Sequence, residues 1–102
     1  MNLALNDVRN AGSLNNNIGI CLMELGKHIQ ANEYFLKSLA MRRELNDARG
    51  QAQVLNNLGK NQALIGNFQT ARGQFDQALA IGREIGNQGS MAISLESLAL
   101  LY

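Results

Sequence analysis

The sequence has no proline, no tryptophan and a single cysteine, and its aromatic side chains amount to three phenylalanines and two tyrosines. A sandwich or loop-rich domain of 102 residues would normally place proline in its turns, so long uninterrupted helices are favoured. The lone Cys21 has no internal partner for a disulfide and argues for a reducing compartment. An excess of either charge is missing too: nine Lys+Arg stand against eight Asp+Glu, and Arg42-Arg43 is the one adjacent basic pair. Nucleic acids and anionic membranes need clustered positive charge, so neither is an expected partner. No apolar run is long enough to cross a bilayer. The opening Met1-Asn2-Leu3-Ala4-Leu5 lacks the basic start and apolar stretch of a signal peptide, and a cytoplasmic protein is the expectation. There is no phosphate loop, nucleophile elbow or metal-ligand spacing, so no enzyme, cofactor or metal is expected.

What is present is a repeat. An apolar content of 46% suits one folded domain. Sliding the chain by forty residues lays Leu5–Glu44 on Leu45–Glu84 with fourteen identities and no gap, among them Asn16/Asn56, Asn17/Asn57, Gly19/Gly59, Gly26/Gly66, Ala31/Ala71 and Phe35/Phe75. Chance would give roughly two or three for ordinary residue usage. A third copy begins near Ile85, where Ala92, Leu95 and Leu98 fall on Ala52, Leu55 and Leu58. The period is real.

Within each copy the apolar residues recur at helical spacing. Val54, Leu55, Leu58, Ala63 and Leu64 suit one amphipathic helix, and Phe68, Ala71, Phe75, Ala78, Leu79 and Gly82 suit a second. Gly66-Asn67 reads as a helix stop followed by a cap, and Asp47 and Asn87 are natural caps at the other breaks. The pattern predicts helices over 7–25, 28–45, 47–65, 68–85 and 88–102. Gly19 and Gly59 lie inside the first helix of each pair, where glycine costs about 1 kcal/mol relative to alanine. A cost repeated at one register points to close backbone approach, with Ala31 and Ala71 as small partners and Phe35 and Phe75 filling the space between hairpins.

These residues resemble the tetratricopeptide repeat. Its pattern stands in Leu55, Leu58-Gly59, Ala71, Phe75 and Ala78, and again in Ile18-Gly19, Ala31, Phe35 and Ser38. The common repeat has 34 residues, and the six extra here look like the long-repeat branch of kinesin light chains and cell-polarity scaffolds. The resemblance implies an all-α, right-handed superhelical solenoid of antiparallel hairpins, about two and a half repeats in five helices. Residues 1–6 would be the tail of a missing preceding helix, 7–46 the first repeat, 47–86 the second, and 87–102 the first helix of a truncated third.

In such a stack the first helix of each pair lines the concave side. The expected groove residues are Ser13, Asn16, Asn17, Ile20 and Glu24 in the first copy, Gln53, Asn56, Asn57, Lys60 and Leu64 in the second, and Ile93, Glu96, Ser97 and Leu100 in the truncated third. The partner would be a protein or peptide. A carboxamide offers donor and acceptor together, so the paired asparagines could hold a peptide backbone. In the long-repeat branch, residues matching Asn17 and Asn57 act this way, which the resemblance implies. The competing reading is that these asparagines cap, bridge helices or face water, and both readings stay open on sequence alone. His28 reads as a solvated turn residue, Cys21 as a small packing residue, and Arg43-Glu44 and Arg83-Glu84 as salt bridges or solvated helix ends.

Both ends read as cut. Arrays usually close with a polar capping helix, whereas this chain stops at Leu98-Ala99-Leu100-Leu101-Tyr102. The alternative function is therefore self-association into a homo-oligomer through Leu95, Leu98, Leu101 and Tyr102, by end-to-end stacking or helix exchange.

Overall fold

The computed structural model describes the backbone of residues 5–101 and the side chains of residues 9–101; the expected roles of residues 1–4 and of Tyr102 lie outside them. Five α-helices follow one another: α1 (Leu5–Glu24), α2 (His28–Glu44), α3 (Ala48–Leu64), α4 (Phe68–Ile85) and α5 (Gln88–Leu101). No strand occurs among the described residues, and the chain is all-α. Leu5-Asn6 lies in α1, whereas its repeat mate Leu45-Asn46 forms a turn, so the period does not hold at that point.

The Cα trace measures 46 × 32 × 17 Å, and its thinnest dimension fits two helix layers packed roughly 8–10 Å apart. Helix α3 touches α1 and α5 within one layer; α2 lies against α1 and α3, and α4 against α3 and α5, in the other. None of these helices is long and apolar enough to cross a membrane.

All four turns use one device. Each helix ends in a residue of left-handed backbone: Gly26, Gly66 and Gly86 at φ +80°, +88° and +70°, and Asn46 at +52°. The next N–H then reaches back five residues to an otherwise unpaired carbonyl: Lys27 to Leu22 (2.8 Å), Asp47 to Arg42, Asn67 to Gln62 and Asn87 to Gly82 (2.9 Å each). The same residue's own carbonyl accepts the first bond of the following helix, from Ala31, Gln51, Ala71 and Met91. One residue thus closes one helix and opens the next, which is why the connections are so short. Asp47 and Asn87 add side-chain caps, accepting from the N–H of Gly50 (2.9 Å) and Ser90 (3.2 Å). Asn67 does not cap α4 with its side chain; its Nδ2 donates instead to Gln62 Oε1 at 2.8 Å, tying the turn back to α3.

Within each hairpin the spacing is set by an aromatic ring on a glycine. A Cβ added to Gly19 would lie 2.6 Å from the Phe35 ring, and one on Gly59 would lie 2.7 Å from the Phe75 ring. The close approach expected at these glycines is to the phenylalanines of the same hairpin, and Ala31 and Ala71 are buried in the same clusters as those rings. Losing about 1 kcal/mol of helix propensity is offset by burying a whole phenyl ring, which contributes about 1.5–3 kcal/mol. Two apolar clusters result. One joins α1 to α4 through Met23, Phe35, Leu39, Val54, Leu55, Leu58 and Ala78. The other seats α5 on the second hairpin through Ala71, Phe75, Leu79 and Leu98, with Met91 and Leu101 alongside.

Two glycine substitutions should act with opposite sign. Gly59→Ala is expected to destabilise the fold by about 1–3 kcal/mol by pushing on Phe75. Gly73→Ala, in α4 with nothing within 4 Å of an added Cβ, should stabilise it by about 0.5–1 kcal/mol. Urea unfolding followed by circular dichroism measures both.

Candidate partner-binding groove

The outer face of the α1/α3/α5 layer carries a hollow of about 650 Å³. Its walls come from Ile20 of α1, from Arg49, Gln53, Asn56, Asn57 and Lys60 of α3, and from the turn and α5 through Asn87, Ser90, Ile93, Glu96, Ser97 and Leu100. Nine of the residues assigned to a groove by sequence meet here: Ile20, Gln53, Asn56, Asn57, Lys60, Ile93, Glu96, Ser97 and Leu100. Ser13, Asn16, Asn17, Glu24 and Leu64 do not. Asn16 is buried; Glu24 and Leu64 are exposed at the last turns of their helices, and Asn17 is exposed away from the hollow.

The asparagines divide into two kinds. Asn16 lies in the α1–α3 seam, where its Oδ1 accepts from Asn57 Nδ2 at 2.9 Å. Asn56 forms part of the floor, yet both ends of its carboxamide are used: Nδ2 donates to the Ser90 carbonyl at 3.5 Å and Oδ1 accepts from Ser94 Oγ at 2.9 Å. For Asn16 and Asn56 the bridging role is what the geometry contains. They are buried because parallel helices at this spacing bring the small polar positions of one against the next, and a buried carboxamide needs partners. Asn57 differs. Its Nδ2 is held by Asn16, which fixes the plane of the amide and leaves Oδ1 without a donor among the described residues, at the edge of the hollow.

A buried cation supports the same face from below. Arg42 of α2 donates from Nη1 to the Gly50 carbonyl and to Gln53 Oε1, each at 2.8 Å. Burial pulls its pKa below the ordinary arginine value, and the neighbouring Asp47 carboxylate works against that shift. Gln53 is thereby positioned on the groove wall by a charge in the other layer. Gly50 is glycine for the same reason, since a Cβ there would meet Arg42 Cδ at 2.7 Å. Sequence reading took Arg42 as half of a dispersed basic pair; its equivalent one period on is Gly82, so the repeat gave no signal for it.

His28 is also more than a turn residue. Asn61, fully buried, donates from Nδ2 to the His28 carbonyl at 2.9 Å, which turns its Oδ1 toward His28 Nδ1 at 2.8 Å. An amide oxygen only accepts, so Nδ1 carries the proton. This pair locks the first hairpin's turn to α3. Cys21 is exposed and not a packing residue. Among the residues named for assembly, Leu98 is buried against Ala71, Phe75 and Leu79 and Leu101 is half-buried beside it; α5 spends that face on the second hairpin. Leu95 remains exposed. No group of three or more metal-ligating side chains gathers among the described residues.

Asn56→Leu should destabilise the fold by about 1–3 kcal/mol, since it leaves the Ser90 carbonyl and Ser94 hydroxyl with one partner fewer in a buried seam. Thermal unfolding would measure it, and Asn17→Leu, at an exposed position, should move the midpoint little.

First helices side by side, a second layer beneath them, and a hollow on their outer face are the arrangement expected of the helical repeat. Residues 10–84 match the tetratricopeptide repeat. No curated protein matches the chain. With most of its length covered by that match, the chain belongs to the tetratricopeptide-repeat family.

Proposed function

We propose that the chain is a non-catalytic scaffold that binds an extended peptide, or a partner helix, in the hollow of the α1/α3/α5 face. Family membership supports a general role in protein–protein interaction. The observation that carries the finer reading is Asn57, whose amide is oriented by Asn16 so that a free acceptor stands beside Gln53 and Lys60. A peptide N–H is the natural donor to it. Ile20, Ile93 and Leu100 supply apolar contacts on the same walls, and Arg49, Lys60 and Glu96 supply charge. The forty-residue period supports placement in the long-repeat branch, with its right-handed superhelix, and a cytoplasmic setting suits the free Cys21. Protein or peptide is the proposed partner class, with neither nucleic acid nor membrane.

Self-association through α5 is the second reading. It is favoured by Leu100, which is 88% exposed, and by Leu95 and Ile93 on the same helix.

A random peptide library screened on the immobilised chain should return binders. Ile93→Asp and Asn57→Ala should each weaken them about tenfold, roughly 1.4 kcal/mol. Ile93 makes no side-chain hydrogen bond, so its loss reads the groove without disturbing the Asn16 seam. Unchanged affinity in both variants would overturn the groove. For the second reading, Leu100→Asp should lower the molar mass in light scattering if α5 joins copies.

A further inference from the structure

Arg42 decides which end of the Gln53 amide is left for the hollow. From its buried place in α2 it donates Nη1 to Gln53 Oε1 and to the Gly50 carbonyl, each at 2.8 Å. A guanidinium only donates, so the amide atom that faces it has to be the oxygen. The bond is charge-assisted and keeps the side chain in that sense. Nε2 is the end that remains. It has no acceptor among the described residues, on a side chain that is exposed and lines the hollow.

Asn57, four residues further along α3, is held in the opposite sense. Its Nδ2 is taken by Asn16, and Oδ1 is the open end. The α3 wall therefore offers one oriented donor and one oriented acceptor. Residues four apart share a helix face and are separated by about 6 Å of rise. An extended chain repeats its edge every two residues, roughly 6.6 Å. Both amides can thus meet the same edge of one strand. The opposite wall is of another kind, with Ile93 and Leu100 of α5. A bound helix could not answer the two amides with its backbone, because its interior N–H and C=O groups are bonded to each other. The pair is also peculiar to this interface: one period after Arg42 and Gln53 stand Gly82 and Ile93.

We propose that the hollow takes its partner as an extended strand and not as a helix, with Gln53 Nε2 donating to a backbone carbonyl and Asn57 Oδ1 accepting a backbone N–H. The proposal rests on the groove reading above and narrows its partner to a segment whose backbone is free to pair. Sequence preference then falls to the side chains that meet Ile93 and Leu100.

Linear dodecapeptides selected from a random library on the immobilised chain are the probe, and titration calorimetry reads their affinity. Gln53→Glu keeps an oxygen for Arg42 and turns the open donor into an acceptor. Affinity should fall about tenfold, while the thermal midpoint does not fall. Exchanging peptide amides for esters one at a time removes single N–H groups, and one position should cost about tenfold. That ester should cost nothing further against Asn57→Ala, because the acceptor it served is gone. Arg42→Met should weaken binding where Gln53 is present and not in a Gln53→Ala background; an equal loss in both would overturn the hold on Gln53. Binders that lose affinity to Ile93→Asp, but not to Gln53→Glu or to any ester, overturn the strand and leave the groove standing. A loss in Gln53→Glu that no ester reproduces is an effect of charge and overturns the strand too. A library that returns no binder, or binders indifferent to Ile93→Asp as well, removes groove and strand together.

Discussion

The contact on which the rest depends is a phenyl ring lying on a glycine. Phe35 on Gly19 and Phe75 on Gly59 bring the two helices of each hairpin closer than any Cβ would permit. That closeness fixes how far the second helix stands from the first. It therefore fixes where the next hairpin can dock, because α3 packs on α2 and α5 packs on α4. A helix propensity loss of about 1 kcal/mol is small beside the apolar burial it permits. The glycines are not flexible points; they are the places where the fold is most tightly specified.

Between hairpins the contacts are polar where the first helices meet. The Asn16–Asn57 bond joins α1 to α3, and Asn56 with Ser90 and Ser94 joins α3 to α5. An apolar seam would tolerate sliding by a turn, whereas a buried carboxamide left without its partner costs about 1–3 kcal/mol. Each seam thus penalises a shifted register. The seams are not copies of each other: Asn57 finds Asn16 in one, and Asn56 finds two serines in the other. Arg42 over Gly50 has no counterpart one period later, where Gly82 instead faces Met91. Quasi-equivalent hairpins are therefore held by individual interfaces.

This asymmetry marks how far sequence carried. The helices, the turns and the close approach at Gly19 and Gly59 were legible because each recurs at forty residues and each has a local cause; that the rings of Phe35 and Phe75 make that approach within a hairpin was not, since a repeated spacing does not say which neighbour a side chain faces. Groove lining was legible in part, since Ile20, Gln53, Asn57 and Lys60 follow from which helix faces outward. The seam bonds of Asn16 and Asn56 were not legible, because a residue beside the groove and a residue in the seam are separated by a single step along the helix. Arg42, Asn61 and Ser94 were missed because their partners are eight to thirty-eight residues away, and no period links them. Leu98 looked bare from sequence only because the residues that cover it, Ala71, Phe75 and Leu79, belong to the preceding hairpin.

Repetition explains the scaffold and, by its failures, the surfaces. Where both copies agree, as at Phe35 and Phe75, the residue serves the stack. Where they differ on an exposed position, the stack imposes no demand. Ile29 stands opposite Gln69, and Glu24 opposite Leu64, in the period of forty. A tetratricopeptide hairpin closes equally well with either member of each pair, as both turns here demonstrate. The same holds on the groove side, where Ile20 corresponds to Lys60 and Ser13 to Gln53. Exposed side chains at such positions can therefore change from one copy to the next without loss to the stack, so the two hairpins can present different surfaces on one scaffold.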